Sequence, residues 1–290
     1  MKHILHLFIL PLIIIFSTFS QKEIKLYPNG AKETNGIMVS EMYRDSTFLM
    51  NISESRIYAF LPEKVKSNGT AVLICPGGGY GGVSFIYEGS DIAKWFNSMG
   101  VSAFVLYYRM PNGHSKIPLS DAQTALEIIH KRANEWGINP EKIGIMGFSA
   151  GGHIASTVGT HFKTAEQRPA FMILGYPVIS MKKEITHAGS RNNLVGENPS
   201  EEEVNFYSNE LHVTRKTPPT FIVYAKDDKL VPVENSIRFY NALKANNIEV
   251  RLDTFAVGGH GFGMKKRGIP ADNWSESLKV WLAKNVLENK

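Results

Sequence analysis

The stretch Lys142-Ile143-Gly144-Ile145-Met146-Gly147-Phe148-Ser149-Ala150-Gly151-Gly152-His153 decides how this chain is read. Lys142 to Met146 are short and apolar and predict a buried strand, whereas Gly152 to Val158 predict the start of a helix. Between them lies the pattern G-x-S-x-G. A strand, a sharp turn and a helix around that pattern make a nucleophile elbow, which lifts a serine hydroxyl out of the backbone on a strained bend. The glycines have a steric reason: the turn closes backbone to contact distance, and a Cβ there would clash. By composition alone the pentapeptide arises about 0.1 times in a chain of this length. The context therefore carries the weight.

Working outward, apolar strand candidates alternate with helical patterns from residue 70 onward. The strands are Ala71 to Cys75, Val101 to Tyr108, Ile143 to Met146, Phe171 to Leu174, Phe221 to Ala225 and Val250 to Phe255. Helical stretches fall near Gly89–Met99, Asp121–Trp136, Gly152–Thr160, Val233–Ala245 and Asn273–Leu287. Such alternation predicts an α/β fold, a mostly parallel central sheet with helices on both faces. Residues 21–69 hold short strand-like pieces, notably Arg56 to Leu61, expected as antiparallel edge strands. Met181 to Pro219 breaks the rhythm. It is polar and irregular, with a capping box in Ser200-Glu201-Glu202-Glu203. It is expected as a small cap insertion, about 181–219, over the carboxyl ends of the strands, where open α/β sheets place their sites.

Residues 1–20 are read as a signal peptide: a positive start, an apolar run from Ile4 to Phe16, and small residues ending near Ser20. The run of about thirteen residues is short for a membrane span, so cleavage and a secreted or periplasmic location are expected. Residues 21–290 then form one domain. Removing Lys2 with the signal leaves 31 basic and 27 acidic residues, a net charge of +4. No run of five or six like charges and no basic stripe interleaved with aromatics is present, so nucleic acid is not an expected partner. Cys75 is the only cysteine, which excludes an intrachain disulfide, and its place at the end of an apolar run predicts a buried filler. There is no CxxC, HExxH or EF-hand loop, so no metal is expected.

An activated serine needs a base, a group to orient that base, and donors for the oxyanion. Beside an elbow on such a sheet, the partners follow the serine in the order acid, then histidine. Tyr224-Ala225-Lys226-Asp227-Asp228-Lys229-Leu230-Val231-Pro232 comes directly after a buried strand. The pattern D-x-x-V-P, recurrent in hydrolases of this type, selects Asp228 and leaves Asp227 as a solvated or loop-capping neighbour. The base is His260 in Gly258-Gly259-His260-Gly261-Phe262-Gly263, after the last strand. Eight other histidines precede the acid, of which His3 and His6 leave with the signal segment; His153, one helical turn beyond Ser149, is expected to be packed inside the fold. His187 and His212 lie in the expected cap.

Oxyanion donors are expected from Gly78 and Gly79 in Cys75-Pro76-Gly77-Gly78-Gly79-Tyr80, with Tyr80 an alternative one residue on. The N–H of Ala150, the residue after the nucleophile, completes the hole. The spacing G-x-G-x-x-G can be laid over Gly77 to Gly82, but no acidic residue at a strand end about twenty residues later supports a dinucleotide. No cofactor is expected. Tyr80, Phe85 and Tyr87 either stack on a substrate ring or pack the loop, and Tyr80 is the candidate substrate-binding residue.

With these residues in place, the chain resembles the secreted acetyl-esterase branch of the α/β-hydrolases, the acetylxylan esterase-like family. The likeness covers nearly all of residues 70–290. It rests on Pro76-Gly77-Gly78-Gly79-Tyr80, Tyr107-Tyr108-Arg109, the elbow from Ile143 to His153, Tyr176-Pro177-Val178, Pro218-Pro219-Thr220-Phe221 and Gly259-His260-Gly261-Phe262-Gly263. The resemblance implies a serine esterase that removes small acyl groups, typically acetyl, from cell-wall polysaccharides or their oligosaccharides. It also implies an acylated carbohydrate or other small ester as partner, with no membrane partner once the signal is removed. Relatives with an H-G-G-G loop carry histidine where Pro76 stands; the backbone donors survive that change. Two other readings compete. A serine exopeptidase related to prolyl oligopeptidases uses the same residue order, but about fifty residues between the expected signal segment and the first parallel strand are too few for a propeller. An inactive binding module on this fold conflicts with a full set of triad and oxyanion residues.

Overall fold

Runs of consecutive apolar residues make strands buried on both sides, and these set the architecture. The computed structural model describes residues 22–287; the segment read as a signal peptide lies outside the described residues. In chain order the strands are β1 (Lys22–Lys25), β2 (Met42–Asp45), β3 (Phe48–Met50), β4 (Arg56–Phe60), β5 (Ala71–Cys75) and β6 (Gly82–Ser84). They continue with β7 (Ser102–Tyr107), β8 (Ile143–Phe148), β9 (Met172–Gly175), β10 (Thr220–Ala225) and β11 (Val250–Phe255). Every residue of β5, β7, β8, β9 and β10 is buried. Side chains alternate across a strand, so burial at consecutive positions means cover on both faces.

The main sheet has the order β1-β4-β7-β5-β8-β9-β10-β11. All neighbours from β7 to β11 are parallel, while β4 runs antiparallel to both β1 and β7. Residues 56–60 are thus antiparallel, as expected, but second from the edge; β1 is the outer strand. A second sheet, β2-β3-β6, was not legible in the sequence. It matters because β6 leaves the glycine-rich loop after β5 and pairs with β3, Phe48 opposite Ser84 and Met50 opposite Gly82. That loop is pinned at both ends.

The helices are α1 (Asp91–Ser98), α2 (Ile117–Lys131), α3 (Ala133–Trp136), α4 (Ser149–His161), α5 (Ala188–Val195), α6 (Glu201–Phe206), α7 (Glu234–Ala245) and α8 (Trp274–Leu282). α2 begins four residues before the expected start, with Pro118 in its first turn, where the missing N–H has no helical partner to lose. Gly137 ends α3 in the left-handed conformation at φ 65°. α5 and α6 lie in the 181–219 segment, and α6 carries the expected Ser200–Glu203 capping box.

A buried ion pair fixes the N-terminal segment to this frame. Arg109 (3% exposed) meets Asp121 (0%) through Nη2–Oδ1 at 2.6 Å, and its backbone N–H donates to Oδ2 at 2.9 Å. Its Nη1 donates to the Glu33 carbonyl at 2.5 Å, and Tyr27 Oη donates to Asp121 Oδ1 at 3.1 Å. Every nitrogen of the guanidinium and both carboxylate oxygens have a partner, and such hydrogen bonding is what makes a buried charge pair tolerable.

Register then gathers the site. Cys75 lies opposite Gly147, Phe148 opposite Gly175, and Ala225 opposite Phe255. The chain therefore leaves β5, β8, β9, β10 and β11 along one carboxyl edge, where ligands of open α/β sheets bind.

Candidate active site

Ser149 is the first residue of α4 and takes φ +51° directly after β8, a conformation a side chain adopts only under strain. The neighbouring glycines make it possible. A Cβ on Gly147 would run into the backbone of Gly151, and one on Gly151 into the carbonyls of Cys75 and Pro76. The elbow is thus wedged against the loop that follows β5.

Three loops converge on this hydroxyl. His260 Nε2 lies 2.8 Å from Ser149 Oγ, and His260 Nδ1 lies 2.7 Å from Asp228 Oδ2. An ionised carboxylate only accepts, so Nδ1 carries the proton and Nε2 faces the serine O–H with its lone pair. Asp228 Oδ1 accepts from the N–H groups of Leu230 (2.9 Å) and Val231 (3.0 Å), which fixes the carboxylate in its own turn. Asp227 does not reach the ring. Its Oδ1 accepts from Gly258 N (2.9 Å) and Gly259 N (2.7 Å), holding the histidine loop, and the Gly259 bond leads in lowering its pKa.

The glycine loop runs alongside. Gly77 N–H is already taken, donating to Glu88 Oε2 at 2.7 Å, and Gly81 N–H donates to Gly78 O at 3.0 Å. Gly78 and Gly79, at φ 150° and 63°, have N–H groups with no protein partner among the described residues. Ala150 N–H is in the first turn of α4, where helical acceptors are lacking and the helix dipole favours negative charge. Ala150 directly follows Ser149, and the root of the glycine loop packs on the serine, since a Cβ on Gly77 would lie 2.9 Å from the Ser149 Cβ.

Tyr80 departs from expectation. Its ring is 2% exposed, so it offers no stacking face to a sugar; its hydroxyl lies 2.7 Å from His153 Nδ1. Burial raises the Tyr80 pKa well above its ordinary value, so this O–H donates. His153 Nε2 then donates to the Tyr207 carbonyl at 2.7 Å. Burial lowers the His153 pKa to about 4, so the ring stays neutral between its two partners. The pair is a strut behind the glycine loop. Phe85 packs on Tyr107 and Tyr43, with ring centroids 5.9 and 5.7 Å apart.

Two residues escaped the sequence reading of the site. Tyr176, the first residue past β9, stacks edge-on against His260 at 4.8 Å. Its hydroxyl donates to Glu88 Oε1 at 2.7 Å and accepts from Gly263 N at 2.9 Å. Position was the available signal, since Tyr176 ends a strand at the edge where the site forms. Glu88 gave none: a single acid between Tyr87 and Gly89, just ahead of an expected helix, carries no pattern. The 181–219 segment reaches the loop as well. Asn193 Nδ2 donates to Gly79 O at 2.8 Å, and His187 Nδ1 accepts from Ser190 N at 3.2 Å at the start of α5. Burial and the neighbouring His260 hold the His187 pKa low. Cys75 is buried, and desolvation keeps its thiol protonated.

Residues 57–243 match the family described as BD-FAE. An acetylxylan esterase of Xylanibacter ruminicola is 38% identical over 242 residues, covering 81% of this chain and 50% of that protein. An endo-1,4-beta-xylanase B of Butyrivibrio fibrisolvens is 39% identical over 204 residues, 66% of this chain and 32% of that protein. The chain thus spans half or less of the length of these two relatives. A solved acetyl ester-xyloside bifunctional hydrolase from Caldicellulosiruptor lactoaceticus superposes with a TM-score of 0.79 at 35% identity, covering 91% of this chain and 96% of that one.

Proposed function

This chain belongs to the BD-FAE family, and on that premise we propose that it is a serine carboxylic ester hydrolase that removes acetyl groups from xylan-type carbohydrates. One observation carries the reading: an unbroken hydrogen-bond chain from Ser149 Oγ through His260 to Asp228, 2.8 and 2.7 Å, beside a loop in which the Gly78 and Gly79 N–H groups have no protein partner among the described residues. Neutral His260 takes the Ser149 proton as the oxygen attacks the ester carbonyl. The N–H groups of Gly78, Gly79 and Ala150 receive the developing oxyanion. The sugar hydroxyl leaves with the proton from His260, and water then hydrolyses the acyl-enzyme by the same route reversed. Asp228 holds the imidazole in the useful tautomer.

The carbohydrate part of the proposal is supported by the acetylxylan esterase and acetyl ester-xyloside hydrolase relatives. Secretion is proposed from the N-terminal segment. The 181–219 segment is proposed as a cap over the substrate, supported by the Asn193–Gly79 bond. The test is acetate release from acetylated xylan, mannan and pectin, beside p-nitrophenyl acetate and a dipeptidyl anilide. Wild type should release acetate, and Ser149→Ala should lose about 10⁴- to 10⁶-fold in kcat. Ser149→Ala activity within tenfold of wild type refutes the nucleophile. Preference for the anilide refutes the esterase.

A further inference from the structure

Glu88 is 5% exposed, yet it carries a carboxylate beneath the site. Its two oxygens serve two different loops. Oε2 accepts from Gly77 N at 2.7 Å, at the root of the glycine loop, and a Cβ on Gly77 would lie 2.9 Å from Ser149 Cβ. Oε1 accepts from Tyr176 Oη at 2.7 Å, and that oxygen in turn accepts from Gly263 N at 2.9 Å, in the histidine loop. Gly263 is itself seated on Glu88: a Cβ there would lie 3.3 Å from Glu88 Cγ. The Tyr176 ring stands between this carboxylate and His260, 4.8 Å from the imidazole.

We propose that Glu88 is the positioning residue of the reaction, a buried anion that locks the oxyanion loop to the histidine loop and stabilises the imidazolium formed on His260. The assignment rests on the serine-esterase reading above. Two consequences come from one group. Anchoring the Gly77 N–H sets the peptide plane from which the next two N–H groups project, and oxyanion donors act only when aimed where charge develops. A second negative group near His260 favours the protonated ring, the form that exists after the serine proton has moved. Charged and titratable groups facing His260 are Asp228, by direct contact, Tyr176, whose ring stacks on it, Glu88, and His187, whose pKa burial lowers. Those facing Glu88 are His260, Tyr176 and Tyr108. Burial raises the Glu88 carboxyl above its ordinary value, and the Tyr176 and Gly77 bonds and the His260 charge offset only part of that rise; the two donors aimed at its oxygens are what favour the carboxylate.

The test compares Glu88→Gln and Glu88→Asp with wild type, with active sites counted by a fluorophosphonate probe and folding checked by near-ultraviolet circular dichroism. Gln keeps the shape and removes the charge. It should lower kcat about tenfold or more with KM unchanged, and move the acid limb of kcat/KM down by about 0.5 pH unit or more. Asp keeps the charge on a shorter arm, so kcat should fall while the acid limb stays near that of wild type. A merely structural carboxylate would not separate the two. An acid limb unmoved in Gln, or kcat within twofold of wild type, overturns the assignment. If Gln does not fold, Tyr176→Phe decides, because it removes the hydroxyl relay and keeps the ring; kcat within twofold of wild type then overturns it. Ser149→Ala, run alongside, separates the two failures. An active Ser149→Ala sinks the esterase reading, whereas an inert one with indifferent Glu88 variants sinks only this proposal.

Discussion

His153 makes the stability of this protein depend on acid in a way that can be calculated. The ring is 1% exposed, and burial lowers its pKa from 6.5 to about 4. An unfolded chain takes up a proton on this ring as pH falls below 6.5; the folded chain does so only near 4. Stability is therefore complete above pH 6.5 and is lost as pH falls toward and through 4. Integrating proton uptake for one site between these two values gives a loss of about 2 kcal/mol from pH 7 to pH 5, and about 3 kcal/mol by pH 4. The perturbation is His153→Gln, which keeps one acceptor and one donor arm and cannot titrate. Urea unfolding followed by tryptophan fluorescence at pH 7, 6 and 5 measures both proteins. His161, also lowered to about 4, remains in each, so the difference between them isolates His153. The wild type should lose about 2 kcal/mol more than the variant between pH 7 and pH 5. Slopes equal within about 0.5 kcal/mol would refute the claim that the ring is held neutral by burial.

Asp228→Asn should lower kcat about 10⁴-fold by spoiling the imidazole tautomer, whereas Asp227→Asn should change kcat far less; equal losses in steady-state assays would overturn the choice between them. Gly77→Ala would place a Cβ 2.8 Å from Phe148 O and from Glu88 Oε2. Displacing the loop this way should cost about 10²-fold or more in kcat, and a fully active variant would show that the loop does not aim the donors. Asp121→Ala leaves Arg109 buried without its partner and should destabilise the fold by about 3–5 kcal/mol in urea, while the folded fraction keeps its kcat per active site.

What was legible in the sequence was whatever local pattern decides. Uninterrupted apolar runs fixed β5, β8, β9 and β10 within a residue or two, because burial on both faces leaves no polar position to confuse. G-x-S-x-G with its flanks located Ser149, and D-x-x-V-P separated Asp228 from an identical neighbour by a backbone-turn requirement, visible in its bonds to Leu230 and Val231. The rest depended on distant pairing. The β2-β3-β6 sheet is held by strands of three and four residues, too short for periodicity to register. Tyr80 reads as a candidate for stacking on substrate because nothing near it in sequence shows that its hydroxyl finds His153, 73 residues away. Glu88 and Tyr176 meet across 88 residues.

The proposed mechanism, in which His260 is the base, explains why burial differs between His260 and His153. A general base must exist as both free base and cation within one turnover, so it needs a counter-ion and access to the reaction. His260 has both: Asp228 at 2.7 Å, and a side chain 14% exposed. His153 has a neutral hydroxyl and a carbonyl as partners, and no carboxylate bonds to it. A proton there would sit uncompensated in a sealed interior. The fold thus keeps a second histidine one turn along α4 from Ser149 without a carboxylate partner, and uses its fixed neutral tautomer to hold Tyr80 at the far end of the glycine loop. Proximity to the serine along the chain is a poor guide to which histidine acts; the partner set decides.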